Sequence, residues 1–229
     1  MPHHAVKVAV IIPDRGDRPD FMHQCLRLME RQTHQPTWVL PIDFKPDDNQ
    51  VDITRRYRLG YQNASKHFDA DVIAFIENDD YYHPKYLEFM VDHWVQHGKP
   101  DMLGMNRTLY YHIGQLRWFL SMHPVRSCNM NTLIKPRLPI TWPVDNDPYC
   151  DVYLWQFGNQ QLRKLLIQEP PLLCLGIKHG VGLCGGKHHI NRMEMYTNYD
   201  RNMHMLKTIV DKTSMPFYEG LYLRLKKSS

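Results

Sequence analysis

The chain predicts an α/β fold: a mostly parallel central sheet with flanking helices and a smaller antiparallel portion. Three observations carry that expectation. Val6 to Ile12, Trp38 to Phe44 and Asp71 to Ile76 are short, apolar-rich runs, as expected of strands covered on both faces. Segments with apolar residues at helical spacing lie between and after them. Beyond about residue 105 the pattern turns alternating and aromatic-rich, as in antiparallel strands.

Taken in order, the first strand stops at Pro13, which lacks the N–H needed to continue a ladder. Asp20 is placed to cap a helix over Phe21–Arg31 that turns Phe21, Cys25 and Leu28 to one side. Thr54–Phe68 reads as a second helix with Tyr57, Tyr61, Ala64 and Phe68 inward. Pro84 suits the first position of a third helix that reaches His97 and carries Leu87, Met90, Val91 and Trp94. Thr108–Leu120 reads as a hairpin around Gly114, Cys128–Lys135 as a strand, and Val152–Leu166 as a helix after an acidic loop. Leu172–Ile177 is the last expected strand, followed by a Gly- and His-rich loop over Lys178–His189. The remainder is expected to be partly helical, with a basic stretch at Arg224-Leu225-Lys226-Lys227. No repeat or low-complexity linker interrupts the chain. One domain is expected, with halves at about 5–105 and 106–229.

Composition narrows the class of protein. A hydrophobic fraction of 43% over 229 residues supports a sizeable core, and 23% charged residues without long runs argue against disorder. No run of 18 apolar residues predicts a membrane span. Met1-Pro2-His3-His4 leads directly into the first strand without a signal-peptide pattern. The five cysteines are odd in number and scattered, so a reducing cytoplasm is the expected compartment. A net charge of +4 suits a phosphate-bearing ligand.

The most informative segment is Asp71-Val72-Ile73-Ala74-Phe75-Ile76-Glu77-Asn78-Asp79-Asp80, a buried strand that emerges into three carboxylates and an amide. Ligands of open α/β sheets bind beyond the carboxyl ends of the strands. Glu77 and Asp79 are two residues apart and project to the same side of an extended backbone. Such a pair suits a hard cation, Mg2+ or Mn2+, with positions left for diphosphate oxygens. The plainer reading is a solvated acidic turn with Asp80 near the start of the next helix.

On these residues the segment Val8–Tyr86 resembles the nucleotide-sugar half of GT-A glycosyltransferases, particularly the family-2-like group. The resemblance rests on Val10-Ile11-Ile12-Pro13-Asp14-Arg15 and on Glu77-Asn78-Asp79-Asp80 followed by Pro84-Lys85-Tyr86. It covers about a third of the chain well. Glu77 stands where the family has Asp, and the loop after Pro13 reads Asp-Arg-Gly-Asp-Arg where Thr-Tyr-Asn is usual. The resemblance implies a GT-A-like, Rossmann-like sheet whose first half, 5–105, binds the nucleotide sugar, while 106–229 holds the acceptor. It implies that Asp79 ligates the metal and that Glu77 acts through water or on the donor ribose. Pro13, Asp14, Arg15 and Asn78 would line the donor site, with Asp14 and Asp43 near base and ribose. Asp43 is equally a strand-end turn residue. Arg58 would contact the donor, whereas Arg55 and Arg56 read better as a solvated helix face. UDP is the favoured nucleotide, and transfer of a hexosyl group with inversion is the expected reaction.

An inverting transferase needs a carboxylate to take the acceptor's proton. Asp151, before Val-Tyr-Leu-Trp, resembles the Glu-Asp-x-x-Leu-Trp pattern that supplies this base, with Cys150 in place of the Glu. Asp147 is the reserve, and a helix cap is the other role for Asp151. Trp118, Trp142, Tyr149 and Trp155 could stack on a sugar or base, or fill the core. In many GT-A enzymes a late His completes the metal sphere, and His179 resembles it. Gly180, Gly182, Gly185 and Gly186 would let backbone amides approach phosphate, with Lys187 adding charge. The spacing Cys174, His179, Cys184, His188, with His189 beside it, leaves a structural zinc open as well.

The acceptor stays open between a saccharide or other small molecule and a hydroxylated base in DNA, which the basic stretches would suit. Two other classes remain. A nucleotidyltransferase would share the fold half but needs a Gly-rich, Lys-containing loop after the first strand, which is not there. A zinc-dependent nucleic-acid-binding module would hold one tight zinc per chain.

Overall fold

The computed structural model describes residues 6–46, 51–168, 172–180 and 193–227. Strand β1 (Val8–Pro13) is buried at every position. Val8, Val10 and Ile12 enter one apolar cluster, and Ala9 and Ile11 enter another on the opposite face. That two-sided burial is the physical meaning of the continuous apolar run. Helix α1 spans Pro19–Glu30 and buries Phe21, Cys25 and Leu28 as expected. It starts before Asp20: Arg18 is the capping residue and Pro19 opens the helix, where its missing N–H costs nothing.

Strand β2 (Trp38–Ile42) lies at the sheet edge, which accommodates Pro41. Helix α2 (Ile53–His67) buries Tyr57, Tyr61 and Ala64. A Cβ on Gly60 would sit 2.5 Å from the Ile11 side chain, so this glycine lets the helix lie close on β1. Strand β3 (Val72–Phe75) follows, then the two-residue strand β4 (Tyr81–Tyr82) and helix α3 (Tyr86–Gln96), which buries Leu87, Met90, Val91 and Trp94.

Strand β5 (Met102–Met105) had no expectation in the sequence; the hairpin did, and is formed by β6 (Arg107–His112) and β7 (Arg117–Met122). The strand expected at Cys128–Lys135 divides into a 3-10 turn, Asn129–Asn131, and β8 (Thr132–Ile134).

The helix expected over Val152–Leu166 is corrected. Helix α4 (Cys150–Val152) runs into one π-helical turn, Tyr153–Phe157. The Gly158 N–H closes that turn on the Tyr153 carbonyl at 2.7 Å, and Asn159 is left-handed. The chain then enters strand β9 (Lys164–Ile167), paired in parallel with β5. Pairing with a neighbouring strand outweighs the local helical pattern of this stretch. Strand β10 (Cys174–Lys178), the short β11 (Asn198–Tyr199), helix α5 (His204–Ile209) and helix α6 (Met215–Lys227) complete the described elements.

Two sheets result, in the orders β2-β1-β3-β8-β5-β9 and β11-β7-β6-β10-β4. In the first sheet only β8 runs against the others. The order β2-β1-β3 creates a topological switch point between β1 and β3, and in such sheets that crevice is the favoured ligand position. In the second sheet β10 pairs antiparallel with β4 and parallel with β6. Since β4 directly follows the acidic turn, this pairing carries the end of β10 to the same crevice.

Candidate active site

Three strand ends meet at the crevice. The ladder register Val8↔Val72 to Ile11↔Phe75 makes β1 and β3 emerge side by side. Asp14 and Asn78 then touch, with Asn78 Nδ2 donating to Asp14 Oδ1 at 3.0 Å. Asp43 is exposed just past β2, on the far side of β1. Pro13 is the last residue of β1, and Arg15 beyond it is held by Asp52 at 2.8 Å.

Arg56 corrects the expectation of a solvated helix face. It is 1% exposed and donates to the backbone carbonyls of Asp14, Ile42 and Phe44 and to the Asp52 carboxylate. It fastens the ends of β1 and β2 to the start of α2. Arg58 lies on α2 as well and makes a two-pronged ion pair with Asp145, at 2.9 and 2.8 Å, that ties the helix to the acidic loop.

The acidic turn is neither solvated nor a helix cap. Asp80 is 2% exposed and its Oδ1 accepts the Ile177 N–H of β10 at 2.8 Å. One carboxylate oxygen each from Glu77, Asp79 and Asp80 lie within 4.8 Å of one another. Among the described residues this is the group of metal-ligating side chains spaced to share an ion. Asp80 Oδ2 is buried without a hydrogen-bond partner among the described residues. An all-oxygen set with an orphaned buried carboxylate oxygen fits a hard divalent cation.

The residues around the turn set its charge. Arg18 donates to Asp79 Oδ2 at 2.6 Å and to Asn78 Oδ1 at 3.3 Å. His179 is 2% exposed, rests on the Phe21 ring at 4.5 Å, and brings Nε2 to 3.2 Å from Asp79 Oδ2. Lys178, the last residue of β10, is half-buried near the three carboxylates; desolvation would lower its pKa, but Asp80, Asp79 and Glu77 outweigh it and hold the ammonium above its ordinary range. Burial also opposes ionisation of Asp79, yet Arg18, His179 and Lys178 hold its carboxyl well below the usual carboxylate range. Burial pushes Glu77 up to about 7, with Asp79 and Asp151 adding to the shift and Lys178 and Arg18 opposing it. Asp80 is raised well above the usual range by burial and by its two acidic neighbours, against Lys178.

Asp151 stands close enough for its charge to act on Glu77. It is 9% exposed, and Arg126 is ion-paired to its Oδ2. Arg126 in turn reaches His123 at 3.0 Å. Burial raises the Asp151 pKa against the pull of Arg126. Asp147 Oδ1 accepts the Tyr149 N–H at 2.7 Å and shapes the loop that leads into α4. Cys150 is fully buried and donates to Asn129 Oδ1 at 3.2 Å.

Of the aromatics, Trp155 is buried with its indole N–H on Thr132, and Trp142 packs on Phe75 and Tyr61. Tyr149 is 54% exposed. Cys174 is buried in the core with a free thiol, while His179 faces Asp79. Lys187, Cys184, His188, His189 and the glycines at 182, 185 and 186 lie outside the described residues. Arg18 and Arg126 had no role in the sequence reading. Their partners lie 61 and 25 residues away, and only the folded chain brings them together.

No family model and no curated protein matches this chain. Among solved structures it is similar to S. aureus TarS 1–349 in complex with UDP-GlcNAc, with a TM-score of 0.51 and 13% identity. That match covers 94% of this chain and 79% of TarS 1–349. It is also similar to a glycosyltransferase involved in glycosylation of the major capsid of PBCV-1. There the TM-score is 0.50 at 12% identity, over 82% of this chain and 98% of that one. The chain therefore has a GT-A-like α/β fold, the fold of those glycosyltransferases. Among the described residues no helix is long and apolar enough to cross a membrane.

Proposed function

We propose that this chain is a glycosyltransferase, one catalytic domain that moves a sugar from a nucleoside diphosphate to an acceptor hydroxyl. The observation that carries the reading is the position of Glu77, Asp79 and Asp80 at the β1/β3 switch point, with Asp151 of the second half near enough for its charge to act on Glu77. Asp79, Glu77 and Asp80 would hold Mg2+ or Mn2+, and His179 supports Asp79. The ion would supply charge neutralisation for the departing diphosphate. Asp14 and Asn78 are placed for base and ribose contacts, with Asp43 at the rim. Lys178 adds positive charge beside the leaving group.

Asp151 is the base in this reading. Its burial raises the pKa, which makes the carboxylate a better proton acceptor for the acceptor hydroxyl. With Asp151 as base, attack on the anomeric carbon from the side opposite a departing diphosphate would give inversion. UDP is the nucleotide in the TarS complex, and it is the first ligand to test here.

The test is the thermal stability of the full chain with UDP, GDP, CDP, TDP and ADP, each with and without Mn2+. A ligand that binds only the folded form raises the midpoint by mass action. A Mn2+-dependent rise with one nucleotide, lost in Asp79→Ala, supports the donor site and names its base. No rise with any of them would sink the transferase reading. Release of pyrophosphate in place of a nucleoside diphosphate during turnover would redirect it to nucleotidyl transfer.

A further inference from the structure

The acidic site already contains a cation of its own, contributed by the loop after β1. Arg18 ends that loop and caps α1, so its backbone is anchored by the helix. Its side chain is only 18% exposed. The guanidinium sits on one carboxylate oxygen of Asp79, a residue assigned above to the divalent ion. One nitrogen is 2.6 Å from Asp79 Oδ2 and 3.2 Å from His179 Nε2, while the other is 3.3 Å from Asn78 Oδ1. These three contacts fall on residues assigned above to metal or donor; a longer one joins Arg18 Nε to the half-exposed Asp17 Oδ1 at 3.5 Å.

Two consequences follow. An ion that binds Asp79 while Arg18 stays in place meets a fixed positive charge at contact distance, so metal alone should bind weakly. When the ion displaces Arg18, a guanidinium only 18% exposed loses its shortest anion contact and keeps only the longer one to Asp17, so a second anion is favoured. Asp80 offers no replacement in this reading, since its Oδ1 accepts the Ile177 N–H and its Oδ2 is assigned to the ion. A diphosphate is the partner that fits, because the planar fork of a guanidinium matches phosphate oxygens in pairs.

We propose that Arg18 is a two-position cation, seated on Asp79 in the free protein and passed to the donor diphosphate when metal and nucleotide enter together. This rests on the donor-site reading above. It makes metal and nucleotide binding mutually dependent, and by linkage each must tighten the other by the same factor.

The experiment measures Mn2+ binding directly, by calorimetry and by the spin-resonance signal of free Mn2+. It uses the full chain with and without UDP, in the wild type, Arg18→Gln, Arg18→Lys and Asp79→Asn. In the wild type, UDP is expected to tighten Mn2+ about tenfold or more, within the usual range of coupling. In Arg18→Gln, Mn2+ alone should bind about tenfold more tightly than in the wild type, and the UDP-induced gain should shrink correspondingly. Arg18→Lys keeps the charge and should stay near the wild type for Mn2+ alone. Asp79→Asn should bind Mn2+ poorly in every condition.

A folded Arg18→Gln whose affinity for Mn2+ alone is unchanged or weaker would overturn the proposal while the donor site stands. If that variant does not fold, the wild type still decides, since equal Mn2+ affinities with and without UDP overturn it. Absence of Mn2+ binding in all proteins, with and without UDP, would remove the metal site itself and the proposal with it.

Discussion

Asp79 and Asp151 make an informative pair. Each is a carboxylate gripped by one arginine, Arg18 and Arg126 respectively. Their side chains are almost equally exposed, 15% and 13%, and so are the two arginines, 18% and 17%. Yet Asp79 is pushed far down and Asp151 up. Burial opposes ionisation at both sites, so it cannot be what separates them. The difference is company. Asp79 has His179 and Lys178 in addition to its arginine, whereas Asp151 has Arg126 and the backbone N–H groups of Val152 and Asp151, and feels the negative charge of Asp147. A carboxylate kept ionised suits a cation ligand, and one kept basic suits proton transfer. Environments that push two acids apart in this way are how a site divides two roles between like residues.

The largest expected effect tests the Asp151 half of that contrast. Asp151→Asn should lower turnover by about a thousandfold, within the range for loss of a general base, while leaving the Mn2+-dependent nucleotide shift intact. The measurement is nucleoside-diphosphate release beside thermal shift on the same preparation. Turnover within tenfold of the wild type would take the base role from Asp151, and Asp147 would be the next residue to replace. Asp79→Ala should do the reverse at the level of binding. The nucleotide shift should vanish, and the unliganded protein should lose about 2 kcal/mol because the largely buried Arg18 keeps only its longer contact to Asp17. Denaturant unfolding measures that loss. A variant as stable as the wild type would mean that Arg18 relaxes into solvent at little cost.

A subtler test sharpens the comparison. Arg126 lowers the pKa of Asp151, so Arg126→Gln should move the acid limb of the turnover profile to higher pH. The direction also has a stability sign. The folded state keeps a proton on Asp151 at pH values where the unfolded chain has lost it. Stability therefore falls as pH rises from the ordinary carboxylate range through the raised value. A limb that stays in place in Arg126→Gln would show that another group sets it.

How much of this was legible in the sequence follows from what each feature depends on. The run Val72–Ile76 ending in Glu77-Asn78-Asp79-Asp80 could be read because strand burial and the residues after it are local properties. A ligand site beyond the carboxyl ends of the strands could be expected from strand–helix alternation, although the switch point between β1 and β3 could not, because it depends on the strand order. Lys164–Ile167 was misread because an apolar stretch with helical spacing satisfies either structure until β5 pairs with it. Strand β5 left little local trace, being four residues long and containing Gly104, whose missing Cβ makes room for Ser127 and Trp155. Arg56 looked like a surface residue because the carbonyls it serves belong to the ends of two strands. Arg18 and Arg126 share that difficulty: an ion pair across the fold has no local signature, and those two pairs set the electrostatics of the site.

The smallest expected effect comes from a third paired acid outside the crevice, and it shows what a structural carboxylate looks like beside the other two. Asp211 pairs with Arg31 at 2.9 Å and accepts the Thr213 and Ser214 N–H groups at 3.0 and 3.1 Å, forming the turn that leads into α6. Burial would raise its pKa, but these hydrogen bonds and Arg31 hold it below the usual range. A depressed folded pKa gives stability that is present above the unfolded value and is lost as the pH falls below about 4. Asp211→Asn should therefore cost about 1 kcal/mol at neutral pH and flatten the acid side of the stability profile. It should leave both the nucleotide shift and turnover unchanged. A loss of nucleotide binding in this variant would mean that the α6 end is coupled to the crevice through Tyr81, whose hydroxyl meets Asp211 and which lies next to Asp80. The contrast between local and functional acids would then need a third category.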